Sequence, residues 1–139
     1  MNKSIKLTKI YDYPVEDVWR ALTDRKALSE WLMPCDFEPT VGHKFRFRTK
    51  PYPGFDGVVN CEVLKISENE LLSFSWSGGS LSNTVVTFKL TRLNDQTRLD
   101  FEHSGFEGWI NSIIVRKILS NGWKNKILSI YLPKYLSNE

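Results

Sequence analysis

Two histidines, His43 and His103, and two cysteines, Cys35 and Cys61, are the side chains best suited to proton transfer, nucleophilic attack or metal ligation in this sequence. Their spacing supports little of that chemistry. Neither histidine has a partner at ligand spacing, and the cysteines form no C-x-x-C pair, so no metal site is predicted. There is no G-x-S-x-G elbow, no glycine-rich phosphate loop and no H-E-x-x-H helix, and no catalytic residue is assigned. His103 holds the one informative position, because counting by twos from Leu99 and Phe101 puts it on an inward row. A ring there could orient a ligand's hydroxyl or carbonyl, or act as a general acid or base. The alternative, favoured because buried polar groups ordinarily find partners, is a ring bonded to backbone near Ser104-Gly105. His43, at the start of a strand, is expected to be exposed. Asp56, Glu62 and Glu102 fall on turns or outward rows, where solvation is the default.

The elements that position these residues follow from hydrophobic period. Ser4 to Tyr11 reads as a strand stopped by Tyr13-Pro14, with Pro14 at the first helical position. Val15, Val18, Trp19 and Leu22 then give one short helix. Ala27, Leu28, Trp31 and Leu32 give a second, capped by Thr23-Asp24 and ended by Pro34. From His43 the period becomes two. Phe45 and Phe47 face inward, while Lys44, Arg46, Arg48 and Lys50 form a wet face. An aromatic turn-rich loop, Pro51 to Gly57 with Tyr52 and Phe55, leads to Val59, Cys61 and Val63. Leu64 and Ile66 then take the inner face on the opposite parity, which predicts a bulge near Val63-Leu64. Leu72, Phe74 and Trp76, then Thr84, Val86, Phe88 and Leu90, then Leu99, Phe101 and His103 form further inner rows. Turns are expected at Glu68-Asn69-Glu70, Gly78-Gly79 and Asn94-Asp95.

The last third, Glu107 to Leu136, has helical spacing, with Trp109, Ile110, Ile113, Ile114, Ile118, Leu119, Trp123, Ile127, Ile130 and Tyr131 as its apolar positions. The stripes before and after Gly122 point in different directions, so one long helix distorted near Asn121-Gly122 is expected, its halves burying different faces. Pro133 should kink or end its last turns. The fold class implied is α+β: one strand, two helices, a meander, and a long helix closing the apolar side of a curved sheet.

At 139 residues the chain is expected to be one domain, 1–139, burying roughly 70% of its unfolded surface. A net charge of +3 from 19 basic and 16 acidic residues is too balanced to imply nucleic acid. Lysine and arginine interrupt every apolar run, so no membrane span is predicted. The first residues, Met1 to Lys6, lack an apolar signal region, and the cysteines are expected to be free thiols. Both features point to the cytoplasm.

The stretch from Tyr13-Pro14-Val15-Glu16-Asp17-Val18-Trp19 through Ala21-Leu22-Thr23-Asp24 to Trp31 resembles the opening of the START-like, helix-grip superfamily. Phe37 to Gly42, Phe74-Ser75-Trp76, Thr97-Arg98-Leu99, His103-Ser104-Gly105-Phe106 and Gly122-Trp123 narrow the resemblance. With them the chain is similar, from about Ile5 to Leu136, to the bacterial family named after the activator of the ninety-kilodalton heat-shock chaperone's ATPase. His43 and Arg25 depart from that family's habits, as does Cys61 where glycine is frequent. The resemblance implies a sheet curved around the terminal helix with a cavity between them. Relatives in the wider superfamily hold lipids, sterols or polyketides there.

Cavity candidates on that basis are Trp31, Phe45, Phe47, Trp76 and Phe88, with Phe101, His103, Trp123, Ile127 and Tyr131. Inner rows look the same whether the space between them is filled or empty, so these residues either line a pocket or pack a core. Three functions are ranked: binding of a small apolar or amphipathic molecule, a protein-interaction module of co-chaperone or stress type, and an enzyme of cyclase or hydrolase type. No cofactor is implied.

Overall fold

Alternating strands and one long helix produce the predicted α+β architecture in a computed structural model that describes residues 3–51 and 53–138. Six strands, β1 (Lys3–Tyr11), β2 (Lys44–Arg48), β3 (Val58–Ser67), β4 (Leu71–Gly78), β5 (Leu81–Leu93) and β6 (Gln96–Phe106), form one antiparallel sheet in the order β1-β6-β5-β4-β3-β2. Helices α1 (Val15–Thr23) and α2 (Arg25–Trp31) carry the chain from one sheet edge to the other. A helical segment over residues 110–137 closes the concave face, as the helix-grip resemblance implies.

Local chemistry explains the elements. Glu16 and Asp17 sit in the first turn of α1, where the helix dipole favours them, and the Asp24 carboxylate accepts from Ala27 N at 3.2 Å to cap α2. Helix α1 starts one residue later than expected. Pro14 is its cap, and the Pro14 carbonyl accepts from Asp17 and Val18. Asn69 and Asn94 take the left-handed conformation at the predicted β3–β4 and β5–β6 turns. Gly57 is obligatory in the aromatic loop: with φ near +83°, a Cβ there would lie 2.4 Å from the Thr49 carbonyl oxygen. Tyr52, in the same loop, lies outside the described residues.

The inner rows fall as the alternation predicts. Phe45, Phe47, Val59, Cys61, Val63, Leu72, Phe74, Trp76, Val86, Phe88, Leu90, Leu99 and Phe101 are all buried. The register shifts between Val63 and Lys65, where the bulge was expected. Its consequence differs from the expectation, for Leu64 is exposed and Ile66 only half-buried, so the bulge re-aims the strand without starting a second inner row. Both cysteines are free thiols.

The terminal helix departs from expectation in three ways. Gly122 is regular, with φ −63° and ψ −50°, and the chain stays helical through it. The winding is widened on either side instead, to i→i+5 turns over Ile110–Val115 and Trp123–Tyr131. The two halves also do not bury alternative faces. From 110 to 122 only Ser112 is buried, whereas Trp123, Leu128, Leu132 and Leu136 seat the second half. Finally, Pro133 neither ends nor breaks the helix, which runs to Ser137.

Tyr11 shows how Pro133 is accommodated. In the widened turn the Leu132 N–H donates to Ile127 O, and the following residue, Pro133, has no N–H for the Leu128 carbonyl. The Tyr11 hydroxyl of β1 donates to that carbonyl at 2.7 Å in a buried contact. A side chain from the sheet thus replaces the donor that proline lacks. Tyr11→Phe should therefore cost about 1–3 kcal/mol by stripping a buried acceptor. Adding Pro133→Ala, which restores an N–H, should recover part of that loss. Urea denaturation of the two variants checks this, and additive destabilisation would refute the coupling.

Candidate functional site

Four of the sequence-predicted residues converge on Trp123. Its indole lies 4.5 Å from the Phe101 ring, 5.7 Å from Trp76, and 6.3 Å from both Phe88 and His103, centroid to centroid. These are separations of rings in contact, so the space between sheet and helix is filled by aromatic side chains. Phe47 joins the cluster through Trp76 at 5.8 Å, and Phe45 touches Phe47 at 5.3 Å. Phe45 leans the other way on Phe37, a residue the sequence reading named only within a motif. Ile127 is half-buried at the margin of this core.

Trp31 and Tyr131 lie elsewhere. The Trp31 indole N–H donates to Ala21 O at 2.8 Å and is fixed by α1. With Leu32, Lys134 and Tyr135, the two residues line an open groove of about 470 Å³ between α2 and the end of the terminal helix. The ten candidates thus divide between an aromatic interior and an outer groove.

His103 is the polar member of the interior and is fully buried. The Thr84 hydroxyl, 2.7 Å from Trp76 O, spends its only hydrogen on that carbonyl. Thr84 Oγ1 must therefore accept from His103 Nε2, 2.8 Å away, which puts the ring proton on Nε2. Nδ1 is then a bare acceptor, and no described residue donates to it. Trp123 Nε1 is its complement, a buried donor with no acceptor among the described residues. The expected bonding of His103 to backbone near Ser104-Gly105 does not occur. Strand β6 runs on to Phe106, and the ring turns toward a threonine on the neighbouring strand instead. Thr84 was legible only as a hydroxyl on an otherwise apolar row.

Burial without a counter-charge drives the His103 imidazole down to about 3 from its ordinary 6.5. A neutral ring is what Thr84 and the aromatic neighbours accommodate. Burial likewise raises both thiols, Cys61 strongly, which disfavours the thiolates a nucleophile needs. His43 is half-buried rather than exposed, because Nε2 bonds the Asp36 carbonyl at 2.9 Å and the ring stacks on Phe45.

The weakly buried half of the terminal helix lies across the rim of this interior. Ser80, in the β4–β5 turn, donates to Asn111 Oδ1 at 2.7 Å, and the Asn111 amide donates to Ser80 O at 3.1 Å. Arg116 reaches Ser4 O at 3.4 Å on β1. These ties hold the helix where few apolar contacts do. Sequence periodicity carries no signal for them, since both ends are polar groups off the apolar rows.

The sequence model of the family described as "Activator of Hsp90 ATPase homolog 1-like protein" matches residues 12–130. The chain belongs to that family. Among solved structures, the protein MLL2253 of Mesorhizobium loti is 31% identical, with 98% of each chain covered and a TM-score of 0.85. The Bacillus halodurans protein BH1534 is 24% identical over 96% of each chain, TM-score 0.81. An HSP90 activator from Plasmodium falciparum is 22% identical over 90% of each chain, TM-score 0.72. The last two establish the shared fold. No curated protein matches the sequence.

The histidine makes stability pH-dependent with a definite sign. Unfolded His103 takes a proton below about 6.5 while the folded ring resists until about 3, so its stabilising effect is complete above 6.5 and lost as pH falls through that window. The loss should approach about 1.4 kcal/mol per pH unit. Urea denaturation across the window should show a steeper acid loss for the native chain than for His103→Gln. Parallel curves would refute a buried neutral ring.

Proposed function

We propose that this family member binds a small amphipathic molecule between sheet and terminal helix, with a hydroxyl as its recognised polar group. One observation carries the reading: His103 Nδ1, a buried acceptor, and Trp123 Nε1, a buried donor, belong to the same aromatic cluster and neither has a partner among the described residues. A hydroxyl donates one hydrogen bond and accepts others, so one such group answers both. Leaving either atom unpaired costs about 1–3 kcal/mol, and a ligand that pairs them recovers that cost as affinity. The surrounding Trp76, Phe88 and Phe101 rings supply the apolar contact that selects a hydrocarbon or aromatic body.

Because these rings are in contact, the occupant enters as the helix lifts. The first half of the helix, with only Ser112 buried and two polar ties to the sheet, is the part able to move. Opening of this kind lowers apparent affinity by the fraction of open molecules, and the ligand in turn stabilises the open form. A chaperone-activating role rests on the family description and on a likeness that carries only the fold, and no residue of this chain supports it specifically. An enzymatic reading meets a neutral histidine and thiols held in their protonated form.

Paired compounds that differ by one hydroxyl test the proposal. In a melting-shift assay the hydroxylated member should raise the midpoint more than its deoxy partner. Trp123→Phe, which removes the donor and keeps most of the ring, should shrink the difference. Ile127→Trp, which adds bulk at the half-buried margin where the occupant must enter, should shrink both shifts while the chain remains folded. Equal shifts within every pair, or none for any compound, would overturn the reading.

A further inference from the structure

The net charge is concentrated in one element. Residues 108–138 hold five basic side chains, Arg116, Lys117, Lys124, Lys126 and Lys134, and no acidic one. Of the 19 basic residues this leaves 14 elsewhere, set against all 16 acidic ones. The terminal helix is thus a basic element on an otherwise slightly acidic protein. Its first half also carries five exposed apolar residues, Trp109, Ile110, Ile113, Ile114 and Ile118, between 48% and 69% exposed. They recur in steps of about one turn, as Trp109-Ile110, Ile113-Ile114 and then Lys117-Ile118, while Ser112 faces the sheet. One tryptophan and four isoleucines at this exposure present on the order of 500 Å², comparable to the largest apolar patch of a typical monomer, which is often functional.

We propose that this stripe docks on an anionic phospholipid surface. A helix with a tryptophan and isoleucines on one side and lysines beside them lies in the plane of a bilayer interface, apolar face down. Trp109, at one end of the stripe, is the residue type that settles at headgroup depth. Lys117 lies within the stripe, and exposed Lys124 and Lys126 follow it along the same helix, so ammonium groups reach phosphates as the isoleucines enter the acyl boundary. Arg116 is not among the docking cations. Its guanidinium turns back to donate to Ser112 O and Ser4 O. A second copy of the chain fits the stripe poorly. A helix-to-helix contact would gather lysines with no carboxylate in residues 108–138 of either copy to answer them. The inference does not depend on the interior being a binding site, since the stripe faces away from it.

Co-sedimentation of the full chain with phosphatidylcholine vesicles, with and without phosphatidylglycerol, tests the proposal. Binding is expected only to the vesicles containing phosphatidylglycerol and should weaken as salt is raised. Ile113→Gln with Ile114→Gln should lower partitioning by about tenfold or more. Lys117→Gln should lower it about fivefold. All three positions are exposed, so circular dichroism and the melting midpoint should stay at native values and separate lost docking from lost folding. Equal binding to both vesicle types, or none by the native chain, would overturn the proposal. So would light scattering that finds a native dimer and a monomeric isoleucine variant, neither of which sediments with vesicles. That result would assign the stripe to a second copy.

Discussion

The burial of Trp123 is the contact on which the rest of the molecule depends. Its indole is the large side chain that the helix inserts against the sheet, and it touches residues from β4, β5 and β6 at once. Burying a side chain of this size contributes about 1.5–3 kcal/mol or more, and here it also fixes which turn of the helix meets which strands. The widened turn that begins at Trp123 and the Tyr11 hydroxyl on Leu128 O follow from that seat. Leu128, Leu132 and Leu136 then continue the contact toward α1 and α2. The first half of the helix has no equivalent anchor, which is why polar ties to Ser80 and Ser4 hold it.

How far the sequence discloses this structure depends on whether the signal is local. Phe45, Phe47, Trp76, Phe88, Phe101 and His103 were legible as inward-facing because strand parity has a period of two and each strand has one wet side. Leu64 was not, since a bulge changes what parity means at the next residue. The helix was legible in extent but not in shape. Glycine's cost of about 1 kcal/mol in a helix made Gly122 the natural place for a distortion, yet it is only a weak preference. The seating of Trp123 and the missing N–H of Pro133 together govern the winding, and both are tertiary facts.

The candidate site divides along the same line. His103 was found by parity, but its partner was not, because the pairing of β5 with β6 sets Val86 opposite His103 and makes Thr84 a diagonal neighbour. Register of this kind is decided by the whole sheet. Trp31 and Tyr131 entered the candidate set through family resemblance and helical spacing, and α1 draws Trp31 into a different groove through the Ala21 carbonyl. The apolar residues from Trp109 to Ile118 illustrate the opposite error. Helical spacing made them look like a buried stripe, and spacing alone does not say which side of a helix the sheet will take. The sheet takes Ser112 and Trp123, so the isoleucines face out.

That outward orientation constrains how the two faces of the helix can communicate. A surface that binds the outer stripe equally well whether the helix is closed or lifted leaves the opening equilibrium unchanged, however tightly it binds. Coupling requires contacts that differ between the two states. The Asn111–Ser80 pair supplies such a difference, because it exists only when the first turn lies against the β4–β5 hairpin. A membrane that draws Trp109 and Ile110 deeper than the closed geometry permits would compete with those two hydrogen bonds, each worth about 0.5–1.5 kcal/mol net. An equilibrium opposed by those ties and by the half-buried Val115 and Leu119 can be biased by that amount. The seat of Trp123, Leu128, Leu132 and Leu136 cannot, so any opening is confined to the half of the helix that precedes it.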